Sequence, residues 1–440
     1  MSKLVENSFL VVISKVITLV LGIASSIFFV RLIGANGKGD LTLLETSAAL
    51  IVLVTSLNLN FGIIHFVSKK EDPAKILGIS IYVVLFSLLI TGVLLAASYY
   101  FNFSQYLIPD GDFLEFSLLL FAMIFILETK EIFSSFLKGF MLFKDLYVTT
   151  IIYSVFRVLL FASLFMMYKY FDYSFTTLQL LWAHVLCLSL VMIFTFFFFL
   201  KKINFLPNFN LTKKDVTVFL KYCVVGLVVL VINFLSRKAD IWIIDFSLTK
   251  ESLGYYAVAI GLCDFVLQIP MTLRSVLFPY LSSTKSELER VKLLSVFSRF
   301  NFTIIFVIAI CLVSVSNFLI PIMFGSEFEA SIVPFQILVF AISFIGFRSF
   351  LMAYFMSIDK QKVNVIGATI GLITLLLFDF VLVPRYGIVG AAYGALISYF
   401  LSTAYIYFSF YKNESQLKHN LFFVNMEDIR KIKSIVKSKL

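Results

Sequence analysis

The chain has 440 residues, 60% of them hydrophobic and 14% charged, with a mean hydropathy of +0.99. So little polar surface excludes a water-soluble domain and points to a polytopic membrane protein. The net charge of +10 comes from Lys and Arg in short loops and near the C-terminal end, which suits anionic lipid and membrane orientation and argues against a nucleic-acid partner.

A helix crosses a ~30 Å hydrocarbon core with about 20 apolar residues. Stretches of that kind fall at 8–33, 41–67, 74–101, 112–138, 146–169, 176–200, 216–245, 253–281, 294–320, 331–357, 363–384 and 387–411. Twelve transmembrane spans are therefore expected. The first is too long for a signal-peptide h-region and lacks a small-residue cleavage site, so it is expected to be a span. Alternate loops are basic, holding Lys69, Lys70 and Lys75; Lys138 and Lys144; Lys201, Lys202, Lys213 and Lys214; Lys285, Arg290 and Lys292; and Lys360 and Lys362. The other loops hold one basic residue or none. The basic set belongs in the cytoplasm, which places both termini there.

Ionisable residues inside these spans cost roughly 2.5–3.5 kcal/mol each at mid-bilayer, so they mark wet faces or partners. In chain order, span 1 carries Lys15 on a face with Gly22 and Ser26, and span 2 carries Glu45 and Ser56. Lys15 either lines a cavity or snorkels to the cytoplasmic side. Glu128, Lys130 and Glu131 follow a long apolar run and are expected at the interface. Arg157 lies in span 5. His65 and His184 read as packed or interfacial residues rather than proton relays. In span 7, Asn233, Arg237 and Asp240 share one face, with Arg237 and Asp240 either paired or facing water. Span 8 places Gly261, Asp264, Gln268 and Ser275 on one face, with Pro270 expected to bend the helix and Arg274 nearby. Span 10 carries Arg348. Cys187, Cys223, Cys263 and Cys311 read as packing residues. After Lys412, Ile429, Ile432, Val436 and Leu440 recur at helical spacing among basic residues, which fits either an amphipathic helix on the inner leaflet or a frayed tail.

The halves resemble one another at a shift of about 215 residues. IGANGKGDLTLLETSAAL (33–50) lies over LTKESLGYYAVAIGLCDF (248–265), and SFLKGFMLFKDLYV (135–148) over LMAYFMSIDKQKVN (351–364). Three units follow: an N-terminal six-helix lobe at 1–205, a C-terminal six-helix lobe at 206–411, and a basic cytoplasmic tail at 412–440. Duplicated bundles are a common transporter plan.

The run DIWIIDFSLTKESLGYYAVAIGLCDFVLQIPMTLRSVLFPYLSS from Asp240, then PIMFGSEFEASIVPFQIL (321–338) and LVPRYGIVGAAYGALIS (382–398), resembles Wzx-type polysaccharide flippases of the multidrug/oligosaccharidyl-lipid/polysaccharide (MOP) exporter superfamily. IGANGKGDL and LKGFMLFKD fit the same family. The resemblance implies an all-α integral membrane fold: twelve transmembrane helices in two pseudo-symmetric six-helix bundles around a central cavity. It also implies alternating access and export of an undecaprenyl-diphosphate-linked oligosaccharide for O-antigen or capsular polysaccharide. Family members often have Asn at the position of Asp379, so no role is assigned there.

With that cargo, Arg237, Arg274, Arg348, Arg157 and Lys15 are the candidate cationic lining for the diphosphate. Asp240, Asp264 and Glu45 are candidates for ion coupling or structural pairing. No cofactor or metal is expected, with H+ or Na+ as candidate coupling ions. The expected setting is the bacterial cytoplasmic (inner) membrane, with membrane lipid, a polysaccharide polymerase and chain-length proteins as partners. A drug or cation antiporter of the same fold would want an acidic cavity. A membrane polymerase or glycosyltransferase would want a large loop or an acidic metal motif, and a pure scaffold leaves the intramembrane charges unexplained.

Overall fold

The computed structural model describes residues 2–202, 205–224, 226–414 and 421–424, with side chains from Ser14 onward. Among the described residues the regular structure is helical: α1 (Ser2–Thr55), α2 (Leu59–Ser68), α3 (Pro73–Tyr100), α4 (Phe113–Gly139), α5 (Phe143–Phe171), α6 (Thr177–Lys202), α7 (Lys213–Val224), α8 (Leu227–Ser247), α9 (Lys250–Ser283), α10 (Glu287–Phe324), α11 (Ile332–Ser357) and α12 (Gln361–Asn413). Among those residues nine helical stretches are long and apolar enough to cross a membrane, and the chain is a multi-pass membrane protein. The helix α4 stands outside the nine because Glu115, Glu128, Lys130, Glu131 and Lys138 load it with charge.

The breaks between helices have local causes. Gly34, at φ 68°, divides α1 into two helices, and Gly387, at φ 60°, divides α12. Glycine adopts that backbone without a Cβ penalty. Expected spans 1 and 2 thus meet at one residue rather than across a loop, as do spans 11 and 12. The expected span at 41–67 is itself interrupted, because Leu57 and Asn58 have φ of 51° and 60° and separate α1 from α2. The expected span at 216–245 is divided between α7 and α8. Pro270 and Pro279 both lie inside α9, which continues through them. Gly346 on α11 leaves room for the Pro270 ring, whose Cγ would lie 3.3 Å from a Cβ there. Aspartates cap two helices: Asp72 accepts from Ala74 N–H, and Asp112 from Leu114 and Glu115 N–H.

The shift read from the sequence reappears in the backbone. The same 215 residues that carry Gly34 to Thr249, at the break between α8 and α9, carry Asp172 (φ 50°, after α5) to Gly387.

Two compact units form. Unit one comprises Met1–Phe234 with Thr249–Gly254, and unit two Leu235–Leu248 with Tyr255–Leu440. The helix α7 packs in unit one, where Phe219 and Cys223 sit against Gly62 of α2, so residues 206–234 group with the first unit. One core of unit one gathers Phe29, Leu44, Leu119, Leu120, Phe161 and Leu181 from α1, α4, α5 and α6. The core of unit two gathers Leu277, Phe302, Phe347, Phe350 and Ile406 from α9 to α12. It also takes Leu421, which is buried, while Phe422 stacks on Phe347 at 4.7 Å and Val424 N–H donates to Thr303 Oγ1 at 3.1 Å. Ile429, Ile432, Val436 and Leu440 lie outside the described residues.

Within unit one, the first turn of α9 crosses α1 at the two glycines that the sequence repeat superposes. A Cβ on Gly39 would overlap the Lys250 carbonyl oxygen and sit 3.3 Å from Gly254 N. One on Gly254 would overlap the Ala35 carbonyl oxygen. Backbones approach this closely only between small residues. Gly254→Val is expected to cost about 1–3 kcal/mol through overpacking, read as a lower Tm of the purified protein in detergent. Gly92→Ala, where a Cβ meets nothing within 4 Å, is expected to stabilise α3 by up to about 1 kcal/mol. An unchanged Tm for Gly254→Val would refute the close crossing.

Candidate functional site

In unit two the geometry grows from α8 and α9. Arg237 and Lys238 are adjacent on α8, and both reach Asp264 on α9. Arg237 Nη2 lies 3.0 Å from Asp264 Oδ1, and Lys238 Nζ 3.4 Å from Asp264 Oδ2. Two cations share one carboxylate, which leaves the group with one excess positive charge. The three side chains keep 34%, 27% and 39% of their surface exposed. They line a 20 Å³ cavity with Cys263, Leu267, Ile342 and Tyr399, roomy enough for about one water. Next along the open face of α9, a Cβ at Gly261 would meet nothing within 4 Å.

Arg348 on α11 is buried, and its Nη1 donates to Ser402 Oγ on α12. Ser402 in turn donates to the Gly367 carbonyl at 2.6 Å. The Arg348 guanidinium feels the charges of Arg237 and Arg274. Arg274 is half-buried and meets the Met356 sulfur at 3.4 Å, a weak acceptor. Unit two therefore gathers three predicted arginines, and Lys238 joins them.

Asp240 points elsewhere. It is 1% exposed, and it accepts from the Tyr256 hydroxyl at 2.7 Å and from Ile241 N–H at 3.0 Å. The alternative of an Arg237–Asp240 pair gives way to Arg237–Asp264, because Tyr256 and the Ile241 amide take the Asp240 carboxylate. Close to Asp240 lies a residue to which the sequence assigned no role. Asp379 on α12 is fully buried, and neither carboxylate oxygen has a hydrogen-bond partner. Gly394 makes room for it: a Cβ there would overlap Oδ1 and lie 3.1 Å from Cγ. The visible signal is an acid in the middle of LLLFDFVLV.

The remaining predicted residues belong to unit one. Glu45 Oε1 on α1 sits 3.2 Å from Nε2 of His184, which is buried on α6. Arg157 on α5 and Lys38 act on Glu45 electrostatically, and the Arg157 guanidinium lies 5.8 Å from the Phe161 ring centroid. His184 is packed, as expected, and Glu45 is its neighbour there. Lys15 is half-buried on the first helix of α1. Arg157 and Lys15 are thus in a different unit from Arg237, Arg274 and Arg348.

Glu128 corrects a second expectation. It is 2% exposed rather than interfacial. The helix α4 continues to Gly139, so Glu128 lies inside the bundle. Its Oε1 accepts from Ser87 Oγ on α3 and from Thr55 Oγ1 on α1, the latter at 3.2 Å. Lys130 and Glu131 are half-buried, and Glu131 pairs with Lys138 at 3.0 Å. His65 stacks on Tyr222 with ring centroids 4.1 Å apart. Among the described residues no group of three or more His, Cys, Asp or Glu side chains could hold a metal ion.

Comparison with known proteins adds family and fold. Residues 4–285 match the family described as polysaccharide biosynthesis protein. Over 109 residues the chain is 34% identical to the capsular polysaccharide biosynthesis protein CapF of Staphylococcus aureus, a match that spans 24% of this chain and 27% of that protein. The fold is similar to that of the lipid II flippase MurJ in an inward closed conformation. There the TM-score is 0.72 at 16% identity, over 92% of this chain and 87% of that one. It is also similar to an inward-facing multidrug resistance MATE family transporter of the MOP superfamily, with a TM-score of 0.70 at 12% identity, over 91% and 95% of the two chains.

The contact between Gly394 and Asp379 is directly testable. Gly394→Ala is expected to lower the Tm by a cost of about 1–3 kcal/mol. Adding Asp379→Ala is expected to recover most of that loss, since the clash and the unpartnered carboxylate vanish together. Additive losses in the double variant would rule the contact out.

Proposed function

We infer the function from one premise, that this chain belongs to the polysaccharide biosynthesis protein family. We propose that it is a flippase that carries a lipid-linked oligosaccharide, on an undecaprenyl-diphosphate type of carrier, from the inner to the outer leaflet of the bacterial cytoplasmic membrane. The product feeds O-antigen or capsular polysaccharide assembly, with a polymerase and chain-length proteins downstream. Twelve spans in two six-helix bundles, both termini cytoplasmic, and alternating access complete the reading.

The observation that carries it is the excess of cations in unit two, where Arg237 and Lys238 share the half-exposed carboxylate of Asp264 and Arg348 feels the charges of Arg237 and Arg274. A bare diphosphate moved into hydrocarbon would cost tens of kcal/mol. Guanidinium groups at a wet face replace part of the lost hydration, and their planar forks suit phosphate oxygens. Asp264 holds Arg237 and Lys238 in place until a diphosphate competes for them. No bond is made or broken, so no catalytic group is required. The membrane potential favours outward movement of an anion by about 2.3 kcal/mol per charge per 100 mV.

Coupling to H+ or Na+ is a second layer of the proposal. Asp240 and the unpartnered Asp379 supply one pair of acids, and Glu45 with His184 another. A drug or cation antiporter is less well supported, because the unit-two group carries excess positive charge.

Deletion of the gene is expected to accumulate diphosphate-linked sugar on the inner leaflet. Arg237→Ala and Arg274→Ala are each expected to cut surface polysaccharide about ten-fold or more, as the loss of a charge-assisted hydrogen bond implies. Protein levels should hold on immunoblots. Full export by both variants would dismiss the cationic mechanism.

A further inference from the structure

Unit one encloses a cavity of 380 Å³, within the size range of small-molecule sites, and no role has yet been assigned to it. Most of its wall is apolar, and Phe234 brings an aromatic ring to it. The polar lining is Ser56, Asn58, Asn60, Glu128, Lys130 and Glu131.

These polar groups are set by the chain. The left-handed residues Leu57 and Asn58 interrupt the helix at the cavity, and Asn tolerates that backbone better than Leu does. Asn58 Nδ2 is tied to the Cys223 carbonyl at 3.4 Å, and Asn60 Oδ1 accepts from Phe61 N–H at 2.9 Å. Glu128 is held on one side by Thr55 and Ser87. Its other oxygen, Oε2, is buried with no hydrogen-bond partner. A buried carboxylate oxygen left unpaired is costly, so a donor that reaches it from the cavity gains more than the same donor would in water.

The charges narrow the class of donor. Glu128 and Lys130 offset each other across the lining, and Glu131 is neutralised by Lys138. A diphosphate would meet two carboxylates there and gain no net attraction. A hydrocarbon chain would leave Oε2 unpaired. A neutral polyhydroxyl ring satisfies both halves of the wall: its hydroxyls donate to carboxylate and amide oxygens, and its C–H faces lie on Phe234 and the aliphatic side chains.

We propose that this cavity binds a neutral saccharide ring of the kind the lipid-linked cargo carries. The assignment rests on the flippase reading and adds to it a sugar site within unit one.

The test uses the full-length protein in nanodiscs and two probes. One is lipid-linked saccharide extracted from cells deleted for this gene, and the other is bare undecaprenyl diphosphate. Glu128→Gln keeps the side-chain volume and is expected to weaken binding of the saccharide lipid about ten-fold or more, with bare lipid bound as by the wild type. Ala49→Phe, which fills the cavity from its wall, provides a second variant with the same expected pattern. Arg274→Ala is expected to weaken both probes. If Glu128→Gln and Ala49→Phe bind the saccharide lipid like the wild type, or lose both probes equally, the saccharide site is overturned and the flippase reading stands. If the wild-type protein binds neither probe, the flippase reading fails and takes the site with it.

Discussion

Hydrocarbon does not solvate charge, and the arrangement of this molecule follows from that single constraint. An ionisable side chain inside a span needs water, an opposite charge or a hydrogen-bonded shell. Each of these solutions is present. Arg237 and Lys238 share Asp264, and all three side chains stay partly exposed. Arg348 is buried and spends a donor on Ser402. Glu45 takes His184, and Glu128 takes Thr55 and Ser87. The polar residues hold neighbouring helices together while apolar side chains such as Leu119, Phe161 and Phe350 fill the space between them. Glu128 Oε2 and the Asp379 carboxylate depart from the pattern.

How much of this the sequence disclosed depends on what kind of signal each feature leaves. Apolar length is a one-dimensional property, so the helical stretches were legible from hydropathy alone. The clustering of Arg237, Arg274 and Arg348 followed from the cost of burying charge. Their partners did not, because helical periodicity assigns a residue to a face without saying which helix that face meets. Asp264 rather than Asp240 answers Arg237 because Tyr256, on the next helix, reaches Asp240 first. Glu128 was misplaced for a similar reason: an acid after a long apolar run reads as interfacial, because the Thr55 and Ser87 hydroxyls that receive it inside the bundle lie on other helices. The interruption at Leu57 and Asn58 left little trace, since Leu gives no warning of a left-handed backbone. Arg157 and Lys15 looked equivalent to the other cations in sequence, yet they pack in the other unit.

Glycine carries the complementary information. Gly34 and Gly387 turn the chain between helices, and Gly39 with Gly254 lets two backbones touch. Breaks recur at the shift of 215 residues that the sequence repeat shows. At these breaks the backbone recurs without the residue, since Thr249 answers Gly34 and Asp172 answers Gly387, whereas Gly39 and Gly254 keep the glycine where two backbones meet.

The return of residues 421–424 onto unit two bears on biosynthesis. Leu421 and Phe422 complete an aromatic nest built from Phe302, Phe347 and Tyr407, and Val424 fastens to Thr303. These residues follow every described helix of unit two in the chain. The core they complete is therefore finished only once synthesis has passed them.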